Sequence, residues 1–120
     1  MFFRKVVGGI RIEAGTNGAD KEFALNPKSG GRYCKNVQVM VKVVNSSDNA
    51  KVGIKIKHGP DGMMFKELAA LASATVPGDK IFVLDTVNIV GEFVQIVLVG
   101  GGTATGDWAV VDVYEMRKPY

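Results

Sequence analysis

The stretch Glu92–Met116, EFVQIVLVGGGTATGDWAVVDVYEM, decides the fold. Two runs of β-branched and aromatic residues flank a loop of Gly, Thr and Asp, the pattern of two antiparallel strands joined by a wide turn. In the first run Phe93, Val97 and Val99 fall on one face and Val94, Ile96 and Leu98 on the other. Both faces are apolar, so this strand is expected in a sheet interior. Gly100, Gly101 and Gly102 are expected to end it, because three glycines in a row lose too much backbone entropy in a regular ladder. In the second run Asp112 shares parity with Val110 and Tyr114, opposite Val111 and Val113.

A second hairpin is expected upstream, with NVQVMVKVV (residues 36–44) and KVGIKIK (51–57) around the polar turn NSSDNA. Val37, Val39, Val41 and Val43 point one way, as do Val52, Ile54 and Ile56, while Gln38, Lys42, Lys51, Lys55 and Lys57 point the other. One face is core and the other is wet; a slip of one residue would bury lysines, which sets the register. Nearer the start, residues 6–13 read as a strand with Val6, Ile10 and Ile12 on one face and Val7, Arg11 and Glu13 on the other, bent at Gly8–Gly9. Residues 14–20 read as a turn in which Asn17 and Gly18 tolerate positive φ, followed by a strand over Glu22–Leu25 closed by Asn26–Pro27.

Between the hairpins, HGPDG (58–62) and VPGD (76–79) are turn signals around MMFKELAALASATV. Its alanines and the spacing of Met64, Leu68 and Leu71 favour a short helical turn near residues 63–72. KIFVLDTVNIV (80–90) supplies one bent or two short strands. The sum is about eight strands with no alternation of strand and helix, which predicts an all-β fold, a jelly-roll-like antiparallel two-sheet β-sandwich, as one domain over residues 1–120.

Composition narrows the function classes. With 47% hydrophobic and 22% charged residues and 15 glycines, the chain is a globular, loop-rich β protein rather than a disordered one. The lone Cys34 rules out an internal disulfide and is expected to pack as a small hydrophobe. MFFRKVV lacks the apolar core of a signal peptide, and no run reaches membrane-spanning length, so a cytoplasmic or virion location and no membrane partner are expected. A net charge of +3 is well short of a dedicated nucleic-acid arm.

No catalytic set converges in the sequence, and no enzyme activity or cofactor is expected. His58 is the only histidine, so a His-based metal cluster is excluded. Ser29, Ser46, Ser47 and Ser73 stand in no nucleophile motif. Asp112 and Asp85 are the strand carboxylates, weighed as a glycosidase pair or as marks of each strand's wetter face. Asp20, Asp61, Asp79 and Asp107 could offer oxygen ligands to calcium, but none has the spacing of a known loop, and no metal is assigned. GGGTATGDW (100–108) precedes a strand, and a phosphate cradle needs a helix N-terminus after the glycines. The candidate binding residues are therefore Trp108, Asp107, Tyr114 and Asp112, with Trp108 either stacking on a sugar or plugging the sandwich end. Lys42, Lys51, Lys55 and Lys57 form a basic face, read as protection against edge aggregation because the aromatic interleaving of a single-strand-binding surface is missing.

The order VGIKIKHGPDGMMFKELA, VPGDKIFVL, GEFVQIVLVGGG and WAVVDVYEMRKPY, spanning Lys51–Tyr120, resembles the jelly-roll modules of carbohydrate-binding domains and of small virion-associated phage proteins. The resemblance implies a fold and carries no ligand residue across. Two functions are expected from it and from the two-sided apolar runs: a non-enzymatic assembly module working through subunit contacts as a homo-oligomer or with virion proteins, and a glycan-binding module.

Overall fold

The computed structural model describes residues 4–25, 34–59, 66–75, 80–88 and 93–119. Among these described residues eight strands follow in chain order: β1 Arg4–Glu13, β2 Lys21–Leu25, β3 Cys34–Ser46, β4 Lys51–Gly59, β5 Lys66–Thr75, β6 Lys80–Asn88, β7 Phe93–Gly101 and β8 Trp108–Pro119. Among the described residues the helical content is one 3-10 turn, Thr16–Gly18. The strands form two four-stranded antiparallel sheets in the orders β1-β8-β3-β6 and β2-β7-β4-β5. The pairs β1 with β8, β2 with β7, β3 with β6 and β4 with β5 nest inside one another. They trace one antiparallel ribbon wound over itself, which β3–β8 and β4–β7 pairing closes into sheets. This is the expected jelly roll.

Neither expected hairpin is one. β7 and β8 lie in different sheets, and so do β3 and β4. Alternation fixes which face of a strand is buried, and an arch between two sheets buries the same faces as a hairpin within one. β7 ends at Gly101, within the glycine run as expected, although Gly100 still pairs with Lys21 and Val52. A Cβ on Gly100 would lie 2.9 Å from the Glu13 carbonyl oxygen, and one on Gly101 2.7 Å from Asp20 Oδ1, so the missing side chains let neighbouring segments approach.

The helical turn expected near residues 63–72 gives way from Lys66 onward to β5, with Ala72 opposite Ile54 and Ala74 opposite Val52. Helix preference is worth only tenths of a kcal/mol per residue, whereas the free edge of β4 offers every other backbone group a partner. Residues 63–65, the expected closure at Asn26–Pro27, the expected turn at 76–79, Ser29, Asp61 and Asp79 lie outside the described residues.

The core lies between the inner faces. Ile12, Val39, Val41, Val43, Val111 and Val113 of one sheet meet Val52, Ile54, Ile56, Ile96 and Leu98 of the other, and Ala50 closes the end. A register shift between Lys5 and Val7 is followed by a second between Val7 and Ile10, which is the expected bend at Gly8–Gly9, with Gly9 at φ 65. It also changes the expected parity: Val7, Ile10 and Ile12 stand opposite Val113, Val111 and Ala109, so Val7 sides with the core.

β7 lies between β2 and β4, as its two apolar faces require. Val97 and Val99, on the face turned from the core, are 1% and 4% exposed. Lys55 stands opposite Val97 and Glu22 opposite Val99. Lys55 Nζ meets Glu22 Oε1 at 2.6 Å, so an ion pair closes over the strand between them. That hydrogen bond from Lys55 holds the Glu22 carboxyl below its ordinary value.

Candidate functional site: the outer face of β8

β8 alternates cleanly. Ala109, Val111, Val113 and Glu115 are buried, while Trp108, Val110, Asp112, Tyr114 and Met116 are half-buried on the outer face. Three of the four candidate residues therefore share one face, with Trp108 and Tyr114 about 20 Å apart along the strand at roughly 3.4 Å per residue. On the neighbouring β3, Met40 stands opposite Tyr114 and Lys42 opposite Asp112. Val44 falls at a register shift and is 44% exposed.

Both aromatic rings are capped by cations from β1. The Arg11 guanidinium lies 4.7 Å from the centre of the Trp108 ring and its Nε donates to Glu13 Oε1 at 2.8 Å. Lys5 Nζ lies 5.6 Å from the centre of the Tyr114 ring and 3.9 Å from Asp112 Oδ2. Trp108 thus lies half-buried on the outer sheet face under an arginine.

Asp112 pins the β1 bulge. Its Oδ1 accepts the Gly9 N–H at 2.7 Å, a bond that only the displaced backbone of the bulge can make. Asp107 is likewise engaged by its own loop: Oδ2 accepts the N–H groups of Thr103 at 2.9 Å and Ala104 at 3.1 Å, and Oδ1 accepts the Ser47 hydroxyl at 3.0 Å. The two backbone bonds hold its carboxyl below the usual carboxylate range. The arches at this end of the sandwich are locked to one another. Ala14 N–H donates to the Asp107 carbonyl, Ser47 N–H to the Trp108 carbonyl and Gly102 N–H to the Gly18 carbonyl.

The basic face is divided. Lys42 is on β3 of one sheet, whereas Lys51, Lys55 and Lys57 are on β4 of the other, each alternating with buried core residues, so Lys42 faces away from the other three. Asp85 falls in β6, His58 in β4 and Cys34 at the start of β3. Among the described residues no group of three or more His, Cys, Asp and Glu could hold a metal ion.

Sequence reasoning missed Glu115. It faces into the sandwich at 2% exposure and accepts from Arg4 Nη2 at 2.8 Å. Its parity with Val111 and Val113 was the available signal. Because Glu115 and Asp112 project from opposite faces of β8, these two carboxylates cannot flank one substrate as a glycosidase pair does.

No protein-family model and no curated protein matches the sequence. Solved structures do share the fold. One is TmCBM61 in complex with β-1,4-galactotriose, at TM-score 0.61 and 14% identity, covering 92% of this chain and 70% of that one. Another is a chain of infectious bursal disease virus, Gx strain, at TM-score 0.52 and 13% identity, covering 95% of this chain and 31% of that one. A non-crystalline-cellulose-specific carbohydrate-binding module, CBM28, matches at TM-score 0.49 and 10% identity, covering 93% and 76%. At these identities the likeness is one of fold.

Proposed function

We propose that this chain is a non-catalytic assembly module that works through subunit contacts, as a component of a virus-like particle. The observation that carries this reading is the outer face of β8 and β3, where Trp108, Val110, Tyr114, Met116, Met40 and Val44 are all incompletely buried. Of the two apolar runs, 93–99 and 109–114, the outward Val97 and Val99 of the first are covered by the chain itself, which leaves the outer face of β8 as the contact face. The engagement of Asp112, Glu115, Asp107 and Glu13 in local ion pairs and hydrogen bonds argues against a free acid or base. Sedimentation velocity across micromolar concentrations tests the reading. Self-association is expected, weakened by Val44→Lys with Val110→Lys at unchanged thermal midpoint, and a strict monomer would refute it.

A second reading, glycan binding, is favoured by the row Trp108, Asp112 and Tyr114 on one strand face and by the likeness to TmCBM61. Stacking a sugar on either ring requires its cation to move aside or to share the ring. β-1,4-Galactotriose and a glycan array, each with and without calcium, test this through Trp108 fluorescence. The absence of any response removes it.

A further inference from the structure

We infer that β1 is an exchangeable strand, and that the β8 edge beneath it is a docking surface for β1 of a second copy of this chain. This rests on the assembly reading and supplies its contact.

Among the described residues β1 pairs with β8 alone, and its ladder is broken twice within six residues, from Lys5 to Val7 and from Val7 to Ile10. β3, on the other side of β8, sends Val39, Val41 and Val43 fully into the core. In β1 only Ile12 is buried, while Val6, Val7 and Ile10 lie at the core margin. Charged latches make up the difference: Arg4 on Glu115, Lys5 on Asp112 and Arg11 on Trp108. The three cations are 57%, 52% and 53% exposed, so the Lys5 and Arg11 latches are weak and screened by salt, and Arg4, on the buried Glu115, is the one firm hold.

A vacated β8 edge is selective about what replaces the strand. It presents a buried carboxylate at Glu115, a second carboxylate at Asp112 and an aromatic ring at Trp108. The partner must therefore bring cations at matching intervals in an antiparallel strand. β1 of another copy brings Arg4, Lys5 and Arg11 in that register. Exchange leaves every latch intact and changes only the connection at Ala14–Gly15, so concentration decides between the closed and exchanged forms. Asn17 N–H, held by Thr105 Oγ1 at 3.0 Å, and Gly18, whose carbonyl accepts from Gly102, keep the rest of that loop on its own chain.

The test uses charge reversal in trans. Arg4→Glu and Glu115→Arg each place like charges at one latch. Mixed in equal amounts, the two variants restore both latches only if they exchange strands. A heterodimer in native mass spectrometry that neither variant gives alone is expected, and a mixture showing only the species of the separate variants overturns the inference. Should Glu115→Arg fail to fold, the pair Arg11→Cys with Val110→Cys, in a Cys34→Ala background, replaces it, since these positions are Cα partners across β1 and β8. Oxidation is expected to give interchain-linked dimers on denaturing electrophoresis. Intrachain links alone, in a protein that sedimentation shows to self-associate, overturn exchange and leave the assembly reading standing. Intrachain links in a strict monomer remove both.

Discussion

Ser47 and Asp107, 60 residues apart, meet where two arches cross between the sheets, with the Ser47 hydroxyl donating to Asp107 Oδ1 at 3.0 Å. Ser47 Oγ also accepts the Trp108 N–H at 2.9 Å, and the Ser47 N–H returns a bond to the Trp108 carbonyl. Asp107 is thereby the centre of a lock between the connections β3–β4 and β7–β8.

This lock is sensitive to acid. The N–H groups of Thr103 and Ala104 depress the Asp107 carboxyl, so its contribution to stability is full above the unfolded value of about 3.9 and is lost as pH falls through the lower folded value. Urea unfolding of wild type and Asp107→Asn should differ most near neutrality and converge as acid protonates the folded-state carboxyl. A gap that stays constant over that range would show that the charge is not what matters.

Gly18 and Gly106 both have positive φ, at 78 and 84, but their surroundings differ. A Cβ on Gly18 would overlap the Gly102 backbone, whereas one on Gly106 meets nothing within 4 Å. Gly106→Ala should cost about 1 to 2 kcal/mol from backbone conformation alone. Gly18→Ala should cost clearly more, because the arch itself must shift. Equal losses in equilibrium unfolding would contradict the close approach.

Arg4 and Glu115 join a half-exposed cation to a buried carboxylate. Arg4→Met keeps the aliphatic stem and removes the charge-assisted bond, and should lower stability by about 1.5 to 3 kcal/mol. Deuterium exchange should localise the loss to β1, and a uniform loss across both sheets would argue against a latch.

Trp108 is the only tryptophan, so its fluorescence reports the Arg11 stack directly. Arg11→Ala should shift the emission to longer wavelength as water replaces the guanidinium, at a cost of about 0.5 to 1 kcal/mol. Unchanged emission would mean that the stack does not persist in solution.

Much of the fold was legible because burial on a strand is periodic. Parity alone separated Val39, Val41, Val43, Val52, Ile54 and Ile56 from Lys42, Lys55 and Lys57, and it placed Asp112 beside Tyr114. The Gly8–Gly9 bend and the positive φ at Asn17 and Gly18 were legible for a similar reason, since few residues tolerate those conformations. The candidate site was less so. That Asp107 holds a loop, that Asp112 pins a bulge and that cations cover Trp108 and Tyr114 all depend on partners many residues away.

By itself, then, the sequence determined most of the strands, the buried faces of β3, β4 and β8 and the all-β class, because those follow from local backbone preference and a period of two. The tertiary structure alone decided which strands are neighbours. Consecutive strands sharing a core can be joined as hairpins or as arches without altering a single side chain's burial, so pairing β7 with β2 and β4, and β8 with β1 and β3, was chosen by the packing of the whole sandwich. The same choice brought Arg4 to Glu115 and Arg11 to Trp108, across a separation that no local pattern spans.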